Sequence, residues 1–241
     1  MARSVKPTLL ILPGTLCDAR VWHDMFAGIE DQWPCWHVDY RHAECISTMA
    51  DLALAAAPGK IIPIGISMGG MVALDIWRRA SERVSGLVLF DMDPGGDTPE
   101  RRARRDEQLL SATHGRFLEM ITSRLLPVYF SSESRSAALA REIVISMALD
   151  QGIGAYAAQL TALATRKDSW MDLPGIDVPV LIACGEDDQI CSPELHARMA
   201  AAIPFSTSFT IPEAGHLSPL EQPAIARHML RSWLTDIDKA I

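Results

Sequence analysis

The sequence predicts an α/β fold: a mostly parallel sheet of about six strands, helices on both faces, and a helical insertion across the middle of the chain. Three observations predict it. Short apolar runs rich in β-branched residues alternate with stretches whose apolar residues recur at helical spacing. Between residues 97 and 170 the strand signal disappears and only helical periodicity remains. A chain of 241 residues, 49% hydrophobic and 22% charged, can bury one substantial core. The expected division is a core of residues 1–96 and 171–241, with residues 97–170 as a helical cap, or lid.

The first strand is Thr8 to Leu12, cut off by Pro13-Gly14. A helix is expected from about Ala19, because Val21, Trp22, Met25, Phe26 and Ile29 share one face. Trp36 to Tyr40 reads as the second strand, and Ser47 to Ala57 as a helix closed by Pro58-Gly59. The central stretch follows. Ile61 to Ile64 suits a buried parallel strand, and Met71, Val72, Leu74 and Ile76 a helix running to about Arg79, with Gly65-Ile66-Ser67-Met68-Gly69 between them. Gly86 to Phe90 is the next strand, leaving through Asp91-Met92-Asp93-Pro94-Gly95-Gly96. Helices are then expected at Glu100 to Thr113, Arg116 to Leu125, Glu133 to Asp150 and Ile153 to Thr165, divided at Gly115, Pro127 and Gly152. Val180 to Ala183 and Ser206 to Ile211 complete the strands. Ser192-Pro193 starts a helix that runs to Ala202, and Gln222 to Ile237 forms the last one, with Ile225, Met229, Leu230 and Trp233 inward.

Bulk properties exclude several partners. A formal charge of −8 argues against nucleic acid or an anionic membrane, which require a basic face. The basic cluster Arg101, Arg102, Arg104 and Arg105 alternates with Glu100, Asp106 and Glu107, as on a solvated helix face. Cys17, Cys35, Cys45, Cys184 and Cys191 are odd in number and show no close pairing, so free thiols in a reducing compartment are expected. No apolar stretch suits a signal peptide or a membrane span, which makes the cytoplasm the expected address.

In a parallel sheet reactive groups collect at the carboxyl ends of the strands. Glycines two positions either side of Ser67 permit a very sharp strand-to-helix turn that holds the hydroxyl out at that edge. A serine hydroxyl is a weak nucleophile and needs a base. His216, in the loop Pro212-Glu213-Ala214-Gly215-His216 after the last strand, is the candidate. The other histidines are His23, His37, His42, His114, His196 and His228. Surface roles suit His23, His42, His196 and His228, whereas His114 could reach the cleft from the cap. The imidazolium needs an oriented carboxylate. Asp188, after the strand ending at Ala183, is the first choice and Asp91 the rival, with Asp187 as a loop residue. The oxyanion needs two backbone donors; Met68 and Leu16 are the candidates.

With serine, acid and histidine in that chain order, the sequence resembles the α/β-hydrolase family over nearly its whole length. The stretch Pro13-Gly14-Thr15-Leu16-Cys17-Asp18-Ala19-Arg20-Val21-Trp22, the serine elbow and Gly215-His216-Leu217 look most like small bacterial esterases and the enol-lactonase-like branch. That resemblance implies cleavage of a small ester or lactone beneath a helical cap, with no metal or cofactor. Pro13 stands where many members carry histidine, Ile66 replaces a commoner polar residue, and the family's usual amino-terminal hairpin is expected to be missing.

The expected function is therefore a serine hydrolase acting through an acyl-enzyme on a small-molecule ester or lactone. Carbon-carbon bond hydrolysis or a cofactor-free lyase reaction with the same three residues is the alternative, and the arginine cluster leaves room for a dicarboxylate. A non-catalytic ligand receptor on a hydrolase core is the reading of a different class. Phe117, Tyr129 and Trp170 are the candidates for substrate contact, among the apolar cap residues Met120, Leu125, Phe130, Met147 and Tyr156. Oligomeric state is not encoded legibly.

Overall fold

The computed structural model describes residues 6–132, 134 and 137–240. Six strands form one sheet: β1 (Thr8–Leu12), β2 (Cys35–His37), β3 (Ile61–Ile66), β4 (Leu87–Phe90), β5 (Val180–Gly185) and β6 (Ser206–Ile211). Their spatial order is β2-β1-β3-β4-β5-β6, every neighbouring pair parallel. The helices in chain order are α1 (His23–Phe26), α2 (Ile46–Ala56), α3 (Met68–Ala80), α4 (Pro99–Ser111), α5 (Phe117–Met120), α6 (Leu126–Tyr129), α7 (Ala137–Ala164), α8 (Pro193–Ala202), α9 (Ser218–Glu221) and α10 (Pro223–Ala240).

Every residue of β3, β4 and β5 is buried. Strands covered on both faces read as continuous apolar runs, which is why these three were legible without alternation. After β1 the chain adds β2 on one side, then returns to place β3 on the other side of β1. This reversal of strand order opens a crevice between the carboxyl ends of β1 and β3, where ligands bind in open α/β sheets. The helices α4 to α7 all fall between β4 and β5, and no strand interrupts them among the described residues.

Several elements differ from expectation, each for a local reason. The first amphipathic stretch is a short turn at Ala19–Val21 followed by α1, which ends where Ala27 turns to ψ 117° ahead of Gly28 at φ 75°. Its apolar face is nonetheless buried as expected, with Val21, Trp22, Met25, Phe26 and Ile29 in the core. β2 stops at His37 because it is an edge strand whose paired residues are Cys35, Trp36 and His37. The division expected at Gly152 is present: α7 is two helical stretches joined at a kink, where Gly152 takes the non-helical φ 77°, ψ 174°. The division expected at Gly115 is present, at φ 78°, and the helix expected from Arg116 to Leu125 runs as α5 and then widens by one residue per turn at 121–125. On α10, Met229, Leu230 and Trp233 point inward but Ile225 is exposed.

The arginine cluster is a further correction. Arg101 pairs with Asp93, and Arg105 pairs with Asp97, which also holds Arg166 at 3.0 Å. Half of the expected solvated face therefore ties α4 to the segment leaving β4.

Candidate active site

Ser67 sits between β3 and α3 at φ 52°, ψ −116°, a conformation that costs an L-residue roughly 1–3 kcal/mol and persists only where the surroundings dictate it. The surroundings do so through two glycines. A Cβ on Gly65 would lie 2.2 Å from the Gly69 carbonyl oxygen, and one on Gly69 would lie 2.1 Å from that of Leu12. Helix α3 thus approaches both β3 and β1 more closely than any other residue type allows, and the turn lifts Ser67 into the crevice.

His216 arrives from the loop after β6. Its Nε2 is 3.0 Å from Ser67 Oγ and its Nδ1 2.9 Å from Asp188 Oδ2. The carboxylate at Nδ1 fixes the proton there, leaving Nε2 to accept from the Ser67 hydroxyl. The other Asp188 oxygen accepts from the amides of Ile190 (2.8 Å) and Cys191 (2.9 Å). Burial pushes the Asp188 carboxyl upward, but the His216 charge and hydrogen bond and the Cys191 and Ile190 amides outweigh it, so it stays below the usual range. The structure thus brings together the three sequence-predicted side chains.

Asp91, the rival acid, is fully buried but does not bond His216. It accepts from the Gly185 amide (2.9 Å), the Ser218 amide (3.1 Å) and the Ser218 hydroxyl (2.7 Å), bracing the loops that carry Asp188 and His216. Burial first, then the Asp188 charge, pushes its carboxyl well above the usual range. His196 also departs from its expected surface role. It is 3% exposed, accepts from the Met92 amide at 3.1 Å and meets the Ser192 carbonyl, and burial lowers its pKa. His114 lies on the exposed side of its turn, against the Leu110 carbonyl.

The backbone donors divide unevenly. The Met68 amide opens α3 beside Ser67. Leu16, the expected second donor, instead gives its amide to Gln159 Oε1 at 2.8 Å, so that expectation is corrected. The adjacent Thr15 amide has no protein acceptor among the described residues, and its side chain meets Met68 Sδ at 3.9 Å. Gly14 runs against the elbow: a Cβ there would lie 3.4 Å from Ser67 Cβ.

Of the three candidates for substrate contact, Tyr129 packs on the His216 ring with centroids 5.6 Å apart. Phe117 packs on Tyr156, and Trp170 lies beneath the Arg198 guanidinium beside Gly95, a packing position where the chain returns to the sheet. Asp188, Cys191 and His216 bring potential metal-ligating atoms within 4.8 Å of one another. Asp188 Oδ2 and His216 Nδ1 are already bonded to each other, and burial and the Asp188 charge push the Cys191 thiol well above its ordinary range.

Gln159 and Glu221 escaped the sequence reading. Glu221 is 2% exposed, and its two oxygens accept from the Gly215 amide (2.7 Å) and the Ser131 amide (3.0 Å). Gln159, 1% exposed, lies in the helix expected from Ile153 to Thr165, where a polar side chain among apolar neighbours was the available signal.

A sharp serine elbow and a hydrogen-bonded serine, histidine and aspartate at the switch point of a parallel sheet define a hydrolase-type site. The chain belongs to the alpha/beta hydrolase family, whose model matches residues 9–226. It is 32% identical over 206 residues to a Bacillus subtilis protein assigned as a 2-succinyl-6-hydroxy-2,4-cyclohexadiene-1-carboxylate synthase, covering 82% of this chain and 74% of that one. It is 26% identical to the pimeloyl-[acyl-carrier protein] methyl ester esterase of Yersinia enterocolitica over 89% of this chain and 88% of that one. The structure of a thermophilic esterase from Thermogutta terrifontis superposes with a TM-score of 0.89 at 30% identity, covering 97% of this chain and 90% of that one.

Proposed function

We propose that the protein is a serine hydrolase that cleaves a small carboxylic ester or lactone through an acyl-enzyme. The observation that carries this reading is the continuous hydrogen-bonded line from Ser67 Oγ through His216 to Asp188. Ser67 Oγ bonds to the carbonyl carbon as His216 Nε2 takes its proton. The tetrahedral oxyanion is received by the amides of Met68 and Thr15, each such donor being worth roughly 3–4 kcal/mol of barrier. Collapse breaks the bond to the leaving oxygen, which takes the proton from His216. Water, deprotonated by the same imidazole, then releases the acid and restores Ser67. In this reading α4 to α7 act as the cap over the site.

The two relatives named as esterases support ester cleavage. The relative named as a synthase keeps the lyase alternative in view, but Arg101 and Arg105 are already engaged by Asp93 and Asp97 and are not spare cations for a dicarboxylate. The test is hydrolysis of short p-nitrophenyl esters and simple lactones by wild type and Ser67→Ala. The expected result is turnover by wild type and a fall of roughly 10⁴-fold or more in the variant. Near wild-type turnover by a folded Ser67→Ala, or wild-type turnover of ring-cleavage diketones but no ester, overturns the assignment.

A further inference from the structure

Leu16 has φ 56°, a left-handed conformation that an L-residue with a branched side chain avoids. It lies inside a turn closed by the Cys17 amide on the Gly14 carbonyl at 3.2 Å, and Thr15 is the other central residue of that turn. At this position, where glycine would be free of strain, something else must hold the backbone. Two glutamines of α7 do so. Gln159 Oε1 accepts the Leu16 amide at 2.8 Å, Gln159 Nε2 donates to Gln151 Oε1 at 2.9 Å, and Gln151 Nε2 donates to the Cys17 carbonyl. The chain of bonds begins and ends on consecutive residues of one turn, and each amide orientation follows from the one before it. Farther along α7 the same loop is gripped again, where Arg20 reaches Ser146 (2.9 Å) and Asp150 (2.8 Å).

We infer that Gln159, supported by Gln151, is a positioning residue for the oxyanion loop: it holds Leu16 in its left-handed form and thereby keeps the neighbouring Thr15 amide aimed across from Met68. This rests on the reading of Ser67 as the nucleophile. Without an acceptor at Leu16 the turn can relax toward negative φ, and the loop loses the preorganisation on which such a donor depends. The glutamines also wall a cavity of about 190 Å³ lined by Pro13, Cys17, Tyr40 and Arg41, so a truncated side chain would admit water to the loop. Replacement by leucine, which keeps the bulk but removes the acceptor, is the cleaner probe.

The experiment measures kcat and KM on p-nitrophenyl acetate for wild type, Q159L, Q159E and Q151L, with thermal unfolding of each. Glutamate at 159 keeps an acceptor for Leu16 in either protonation state. The expected result is a kcat lowered about tenfold or more in Q159L with KM within about twofold, and Q159E within about threefold of wild type. A merely structural role would lower both variants together or leave kcat untouched. A folded Q159L with wild-type or higher kcat overturns the inference, as does a loss that Q159E shares. If Q159L does not fold, Q151L decides: a fall of about threefold or more in kcat supports the inference, and wild-type turnover overturns it. Absence of any ester turnover in wild type would instead overturn the reading of the site itself.

Discussion

His216 is joined to Tyr129 twice: its backbone amide donates to the Tyr129 carbonyl at 2.8 Å, and its imidazole lies against the phenol ring with centroids 5.6 Å apart. One residue of the helical insertion therefore fixes both the main chain and the ring of the candidate base. Tyr129→Leu keeps the carbonyl and much of the volume but frees the imidazole to tilt. The expected outcome is a kcat reduced by about tenfold on p-nitrophenyl acetate, since small misplacements of a reacting group are costly. The loss of stability should be about 1–3 kcal/mol, read by urea unfolding.

The two buried aspartates separate by readout. Asp188→Ala removes the carboxylate bonded to His216 Nδ1 and should lower kcat by roughly 10³- to 10⁴-fold, with the fold retained. Asp91→Ala leaves that pair intact but strips the acceptor from the Gly185 and Ser218 amides. It should cost about 2–6 kcal/mol in stability, at roughly 1–3 kcal/mol for each of the two orphaned amides, with kcat within about tenfold of wild type. The reverse pattern would make Asp91 the acid.

Glu221 sets a pH dependence. Burial pushes its carboxyl up to about 7, despite the Gly215 and Ser131 amides that favour the charged form. A folded-state value above the unfolded one, 4.5, means that the native chain holds a proton the unfolded chain has released. Stability from this group is present in full below about pH 4.5, declines as pH rises toward 7, and is constant beyond it. The whole change is about 3 kcal/mol. Glu221→Gln, which carries no such proton, should show a flatter stability profile between pH 5 and 8 in urea melts. An unchanged slope would mean that Glu221 is ionised throughout.

Gly69→Ala tests the elbow from the packing side. A methyl group there would meet the Leu12 carbonyl at 2.1 Å, a contact only backbone movement can relieve. Loss of more than about 3 kcal/mol, or failure to fold, is expected; a well-folded and active variant would show that α3 can move away from β1 at little cost.

How much of this was legible depends on whether the signal was local. The buried runs of β3, β4 and β5 and the glycine spacing around Ser67 are properties of a few consecutive residues, and each matched the structure closely. Asp188 and His216 could be picked because each follows a strand whose carboxyl end had already been located. What escaped depends on contacts far apart in sequence. Nothing next to Leu16 says that its amide will be taken by Gln159, 143 residues away. His196 looked like a helix-surface residue until the segment leaving β4 supplied the Met92 amide. Arg101 and Arg105 read as solvated because their partners, Asp93 and Asp97, sit in the preceding loop rather than on their own helix. The break after α1 was missed because apolar periodicity reports which face is buried, not whether the backbone between the buried residues stays helical.

The segment between β4 and β5 reaches the candidate site at three points. Through Tyr129 it carries the histidine, through Gln159 it grips the loop after β1, and through the Ser131 hydroxyl on Asp187 it touches the loop of the acid. Grafting a relative's helices onto this sheet would therefore discard three supports of the candidate site at once, and a chimera would have to transplant those anchoring side chains first.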